Sequence, residues 1–315
     1  MKILFTGASS FTGYWFVKKL VENGHEVFTV FTKNQNQYEG IRKSRVDEIV
    51  KISNPLFNMV FGSKEFIQTL NKHNFNVYCH HLADVTNYKS NEFDYLKALE
   101  KNTNNLELVF SSLKKNGCNS ILLTGSIFEN DEGIGNNDLL AFSKYGLSKG
   151  LTFQVFRFLA EQYGLKLGKF VIPNPFGPFE EPRFTNYLMK NWLAGNVPSV
   201  NTPKYIRDNI PVDLLADVYL YFLNNLAESF ETFMKINPSG FVESQGDFTN
   251  RFAVNISQRL NINCDFKLNN QTEFNEPLIR VNSDNSFNLI KDWSEELFWD
   301  NLTDYYKSFY EKINQ

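Results

Sequence analysis

One stretch near the start of the chain limits its folding options more than any other. Thr6-Gly7-Ala8-Ser9-Ser10-Phe11-Thr12-Gly13 follows a short apolar run, Lys2–Phe5, and opens an amphipathic segment, Gly13–Glu22. Glycines between a strand and a helix let the backbone approach a bound group where a Cβ would collide. They also aim amide N–H groups and the positive helix end at an anion such as a pyrophosphate. The spacing departs from G-x-x-G-x-x-G at one place: Ser10 stands where the middle glycine would be, which gives up some closeness and supplies a hydroxyl. A tight turn with no ligand would use the same glycines, so its surroundings matter. Gly24-His25-Glu26-Val27 leads into a second apolar run, Glu26–Phe31, which makes the unit βαβ and the sheet parallel.

The alternation continues along the first half. Strands are expected at Asn76–His80, Ser120–Thr124 and Lys169–Ile172, with helices at Glu92–Lys115 and Phe142–Gln162 closed by Gly117 and Gly164. Pro and Gly then cluster at Pro173–Pro182 and Gly195–Pro203, and the chain ends in the aromatic-rich Trp293–Tyr310. The pattern predicts an α/β chain. A Rossmann-type doubly wound parallel sheet is expected over 1–173, rejoined by 205–235, and a smaller mixed α/β C-terminal substrate lobe over 174–204 and 236–315. Composition serves to exclude. With 32 Lys and Arg against 35 Asp and Glu, the net charge of −3 leaves no basic excess for nucleic acid or an anionic membrane, and neither is an expected partner. No run approaches the ~20 apolar residues of a spanning helix. Cys79, Cys118 and Cys264 are too widely spaced for a metal or redox pair, so no metal and a reduced, cytoplasmic setting are expected.

The end of the second strand bears on which dinucleotide the turn would take. An acid there would bond the adenosine ribose diol, but Val30-Phe31-Thr32-Lys33 has none before Glu39, and Lys33, Arg42 and Lys43 lie close in sequence. A 2′-phosphate is tolerated, so NADP is expected a little ahead of NAD. The contact residues are Gly7, Ser9, Ser10, Phe11, Thr12, Gly13, Thr32 and Lys33.

Tyr145-Gly146-Leu147-Ser148-Lys149 sets a phenol and an ammonium one helical turn apart on the same face. A nearby cation favours phenolate, so Tyr145 can act as general acid or base on a carbinol or carbonyl oxygen, and Lys149 can also hold the nicotinamide ribose. Upstream, Ile121–Ser126 runs from a buried strand into a polar turn. Its hydroxyls, Thr124 and Ser126, then sit at a strand's carboxyl end, where open α/β sheets bind ligands. Either could donate to the oxygen that Tyr145 addresses.

With these motifs in order, the chain resembles the extended short-chain dehydrogenase/reductase family of nucleotide-sugar epimerases, dehydratases and reductases. The likeness spans nearly the whole sequence. It rests on Gly7 and Gly13, His81-Leu82-Ala83 after a strand, Asn102 heading the next helix, Thr124 four residues before Phe128, and Tyr145 with Lys149. Pro173-Asn174-Pro175-Phe176-Gly177-Pro178 and Arg207-Asp208 with Val212-Asp213 complete it. The resemblance implies catalysis by Thr124, Tyr145 and Lys149, cofactor contacts from Leu82, Ala83 and Lys149, and substrate contacts from Ser126, Asn174, Arg207 and Arg280. It also implies a homodimer through apolar residues of the two long helices.

Two departures narrow the chemistry. Gly62 is followed by Ser63 where the family often has an adenine-contacting Asp. Thr124-Gly125-Ser126 replaces the Thr-Asp-Glu of the dehydratases, so elimination lacks its acid and base. What remains is hydride transfer at a sugar carbon, C4 before others, with keto-sugar reduction as the first expectation. The alternatives are 4-epimerisation with tightly bound NAD and a non-catalytic dinucleotide-binding regulator.

Overall fold

Strand β1 (Lys2–Thr6) buries Ile3, Leu4 and Phe5 completely, and a strand apolar on both faces needs helices above and below it. The computed structural model describes every residue except Thr86, Lys89, Asn91, Asn137, Asn314 and Gln315, and shows that arrangement. The strands joining β1 are β2 (Glu26–Val30), β3 (Asn54–Leu56), β4 (Val77–His80), β5 (Ser120–Ser126), β6 (Lys166–Ile172) and β7 (Phe233–Ile236). They form one seven-stranded sheet in the order β7-β6-β5-β4-β1-β2-β3, with every pairing parallel. The order reverses beside β1, and the carboxyl ends of the two strands that meet there, β1 and β4, are the usual ligand position of such sheets.

Helices α1 (Phe11–Glu22), α2 (Gly40–Ile52), α3 (Lys64–Lys72), α4 (Tyr95–Asn102), α5 (Leu106–Lys115) and α6 (Lys144–Gln162) connect or flank these strands. The helix expected over Glu92–Lys115 is therefore two. Asn105 adopts a left-handed backbone, φ 50°, and the side chains of Asn104 and Asn105 donate to the carbonyls of Phe61 and Gly62 at 3.0 and 2.8 Å. Asn102 closes α4 rather than heading a helix. It is buried, accepting from Asp84 N at 3.2 Å and donating to Thr152 Oγ1 on α6 at 3.3 Å.

The chain divides into two compact units: Met1–Glu132, Leu139–Ile172 and Ala216–Pro238 in the first, Gly133–Asp138, Pro173–Leu215 and Ser239–Gln315 in the second. Residues 205–215, expected with the sheet, fall in the second unit because Ile206–Pro211 pairs parallel to Asn174–Phe176 and antiparallel to Phe241–Ser244. The second unit packs on aromatic rings, with Phe176, Phe252, Phe298 and Trp299 in mutual contact. Among the described residues no helix is long and apolar enough to cross a membrane.

Candidate active site

The glycine turn is built without room for side chains. Gly7 has φ +82°, and a Cβ there would lie 2.8 Å from the His81 carbonyl oxygen; one on Gly13 would lie 2.3 Å from Gly7 O. Ser10 caps α1: its hydroxyl accepts from Gly13 N at 3.1 Å and donates to Gly7 O at 2.8 Å. The residue replacing the middle glycine thus closes the turn upon itself.

Helix α2 braces the turn from the side. Arg42 donates through Nε and Nη2 to Ser9 Oγ at 3.0 and 2.7 Å, and the fully buried Arg45 donates to Ser9 O at 3.1 Å. Arg45 was not among the sequence candidates, and its three-residue spacing from Arg42 was the only signal available. The three cations near the end of β2 separate in the structure. Arg42 reaches the turn, Lys43 pairs with Asp47 at 2.9 Å, and Lys33 is exposed beside the exposed Thr32. Ser63, standing where an acid was looked for, caps α3 by accepting from Phe66 N at 3.2 Å.

His81 ties the turn to the end of β5. Its Nε2 lies 3.0 Å from Thr12 Oγ1 and 3.1 Å from Ser10 Oγ, and its Nδ1 lies 2.9 Å from Thr124 Oγ1. Burial, with the Lys149 charge as a second cause, pushes the imidazole down to about 3, so it is neutral at physiological pH. His80 is also held well below its ordinary range by burial, its Nδ1 2.7 Å from Tyr78 Oη. Leu82 and Ala83 follow, partly buried.

Helix α6 presses its first turn on the loop after β5: a Cβ on Gly146 would lie 2.0 Å from Phe128 O. That contact sets Tyr145 among the rings of Tyr88, Phe93 and Phe128, with centroids 5.2, 6.3 and 6.4 Å away. One turn on, the buried Lys149 donates Nζ to the Thr124 carbonyl. Burial pushes this ammonium down to about 8, against the opposing pull of Glu129. Thr124 is almost wholly buried, whereas Ser126 is partly exposed, its hydroxyl accepting from Phe128 N at 3.3 Å. The first unit therefore gathers the glycine turn, His81, Thr124, Ser126, Tyr145 and Lys149.

The other three candidates belong to the second unit. Asn174 is exposed and donates Nδ2 to Asn209 Oδ1. Arg207 lies over the Tyr205 ring, 4.2 Å from its centroid, and pairs with Glu276 at 2.8 Å. Arg280 is buried in a two-residue strand, Arg280–Val281, paired with Ile134–Gly135. Ile206 bridges Ile279, so the two arginines each follow a residue of one bridge.

The profile of the NAD dependent epimerase/dehydratase family matches residues 3–234. The chain belongs to this family. No curated protein matches it in sequence. Solved structures of similar fold include a UDP-glucose-4-epimerase from Stenotrophomonas maltophila with bound NAD and formylated UDP-arabinopyranose, 15% identical, covering 99% of each chain with a TM-score of 0.77. A UDP-N-acetylglucosamine 4-epimerase from Methanobrevibacter ruminantium in complex with UDP-N-acetylmuramic acid is 18% identical, covers 98% of each chain and has a TM-score of 0.73. A UDP-glucuronic acid 4-epimerase from Bacillus cereus in complex with UDP-glucuronic acid and NAD is 17% identical, covers 98% of this chain and 100% of its own, and has a TM-score of 0.72. The family is one of enzymes of the extended short-chain dehydrogenase/reductase type, and its dinucleotide fits the residues present. Gly7 and Gly13 let the turn close against the His81 carbonyl and on itself, which keeps side chains away from the amide N–H groups at the head of α1, the arrangement that takes a pyrophosphate.

Proposed function

We propose that this protein is a nucleotide-sugar 4-epimerase that retains NAD through its catalytic cycle. The observation that carries the reading is the convergence, within the first unit, of Tyr145, Lys149 and Thr124 beside a dinucleotide turn. When bound, NAD supplies the acceptance and return of a hydride at the sugar carbon. Tyr145 Oη takes the proton of the C4 hydroxyl and gives it back, while the Lys149 charge favours the phenolate and its ammonium holds the nicotinamide ribose.

Thr124 is assigned to orienting the sugar oxygen. Its Oγ1 lies 2.9 Å from His81 Nδ1, and the imidazole is held in turn by the hydroxyls of Thr12 and Ser10 at Nε2. Ser126 stands at the same strand end as a second donor. Gly7, Ser9, Ser10, Phe11, Thr12, Gly13, Thr32, Lys33, Leu82 and Ala83 are assigned to the dinucleotide. Asn174, Arg207 and Arg280 are assigned to the nucleotide sugar, with arginine suited to a diphosphate by its bidentate fork.

Keto-sugar reduction, the first expectation, uses the same groups but consumes a cofactor each turnover. Similar structures that carry NAD include 4-epimerases of UDP-glucose and UDP-glucuronic acid, which favours epimerisation. Elimination remains unsupported, because Gly125 and Ser126 supply no acid pair. One observation keeps an NADP-linked reductase as a second reading: Arg42 stands at the turn and no acid follows β2 before Glu39. A homodimer is proposed through Leu96, Leu108 and Phe158, which stay exposed on α4, α5 and α6, whereas Leu106, Val109, Phe110, Phe156 and Leu159 fill the unit's own core. A cytoplasmic setting is proposed from the three free, buried cysteines.

The test is to purify the protein without added nucleotide, denature it and identify what it releases, then incubate it with UDP-glucose, UDP-N-acetylglucosamine and UDP-glucuronic acid. Released NAD and formation of a C4 epimer support the proposal. NADP dependence with a 4-keto sugar as substrate would support the reductase instead, and no turnover would leave the regulator.

A further inference from the structure

Behind the catalytic face the first unit buries a cluster of charge that the chemistry above does not use. Lys169, on β6, pairs with Glu129 and Glu132, both at 2.7 Å, and all three side chains are at most 4% exposed. Glu132 continues to Lys235 at 3.2 Å and accepts from Asn237 at 2.9 Å, while the Lys169 ammonium sits 3.8 Å from the centre of the Phe153 ring of α6. Glu129 turns its other oxygen to the catalytic strand: Oε1 accepts from Ser126 N at 2.6 Å.

Gly125 shows that the strand is shaped around this pair. A Cβ on Gly125 would fall 2.9 Å from Lys169 Cε and 3.0 Å from Glu129 Oε1, so the glycine that replaces a dehydratase acid is the residue that admits the pair. On α6, a Cβ on Gly150, next to Lys149, would lie 3.8 Å from Glu129 Cβ, an ordinary contact. Lys149 itself donates to Thr124 O, one residue before Gly125.

We infer that Glu129, held by Lys169, is a positioning residue that fixes the Thr124–Ser126 turn and keeps Lys149 charged in a dry site. The inference rests on the reading of Lys149 as part of the catalytic set. The charged or titratable groups around Lys149 are Glu129 from the loop after β5, Lys169 from β6, His80 and His81 at the end of β4, and Tyr145 on its own helix. Glu132 and Lys235 lie one step further out. Both histidines are neutral, so Glu129 is the anion that opposes burial and the Lys169 repulsion.

Two near-isosteric variants separate this role from simple structural support. Glu129→Gln keeps an acceptor for Ser126 N but removes the charge, and Lys169→Met leaves Glu129 facing Lys149 alone. Titration of the Lys149 Cε resonance in 13C-lysine-labelled protein, assigned with Lys149→Met, should show the midpoint falling by about one pH unit in Glu129→Gln and rising by a similar amount in Lys169→Met. The alkaline limb of the epimerase pH profile should move the same two ways. Should one variant fail to fold, the other still gives a sign. An unmoved midpoint, or shifts of the same sign, overturns the inference whether or not the protein turns over a sugar. Opposite shifts without any turnover would sustain it and reject the epimerase reading instead.

Discussion

The two units handle buried acids in opposite ways. In the first, Glu132 is buried yet held below its ordinary range: burial pushes it up, but Lys169 at 2.7 Å and the further pull of Asn237 and Lys235 outweigh that cost. In the second, Glu180 and Asp208 accept from neutral donors, and the Arg183 charge pulls on Glu180 too weakly to offset its burial. Thr185 Oγ1 donates to Glu180 at 2.8 Å, and Gly240 N and Asn282 N donate to Asp208 at 2.7 and 3.0 Å. Burial is the leading cause there and drives them up to about 7 and about 6. An acid bonded to a cation keeps its charge across the working pH range and can hold a steady field on a neighbour. An acid bonded only to neutral groups takes a proton near neutrality. The first arrangement fixes a charge in place, and the second makes its unit's stability respond to pH.

Measurements can break that contrast, beginning where the effect is largest. Tyr145→Phe removes the proton carrier and should cut kcat by ~10³-fold or more while dinucleotide release on denaturation stays unchanged. A variant retaining near-normal kcat would detach the first unit's charge from any chemistry. Thr124→Ala should lower kcat by about 10²-fold, as the loss of one donor to a reacting oxygen does. If Ser126→Ala does so instead, the orienting hydroxyl is the more exposed of the two. Arg207→Ala should act on binding, raising KM by roughly tenfold, about 1.4 kcal/mol, with kcat little changed. A fall in kcat at constant KM would place that arginine in the chemistry.

The last effect is on stability rather than on turnover. Glu180 has an ordinary pKa of 4.5 when exposed and about 7 when folded, so between those values the native state binds a proton that the unfolded chain has lost. Its contribution therefore declines as pH rises from about 4.5 to 7 and is flat above. The decline is at most on the order of 3 kcal/mol. Asp208 adds a decline of the same sign between 3.8 and about 6. Melting temperature should fall from pH 5 to pH 7.5, and Glu180→Gln should flatten the upper part of that slope. An unchanged slope would mean that Glu180 is ionised in the folded protein.

What the sequence made legible was local. The strand, turn and α1 around Gly7 and Gly13, and the spacing of Tyr145 and Lys149, depend on residues a few positions apart, so pattern and helical period suffice to read them. The break between α4 and α5 was hidden because it depends on Asn104 and Asn105 finding carbonyls at Phe61 and Gly62, 43 residues away. The role of His81 needs β1, β4 and β5 side by side, since only then do Ser10, Thr12 and Thr124 meet one imidazole. Gly125 shows the limit most clearly. Its identity revealed that an acid was missing, but not that Lys169 and Glu129 stand in the space a side chain would need, because that requires the register of β5 against β6.

The central claim is that Tyr145, Lys149 and Thr124 invert C4 of a nucleotide sugar around a retained dinucleotide. Its most direct test follows UDP-sugars by 1H NMR in D2O with purified protein and no added cofactor. The account predicts a C4 epimer whose C4 hydrogen is retained as protium, formed by wild type and not by Tyr145→Phe. Solvent deuterium at C4, or equal epimer formation by Tyr145→Phe, would contradict it.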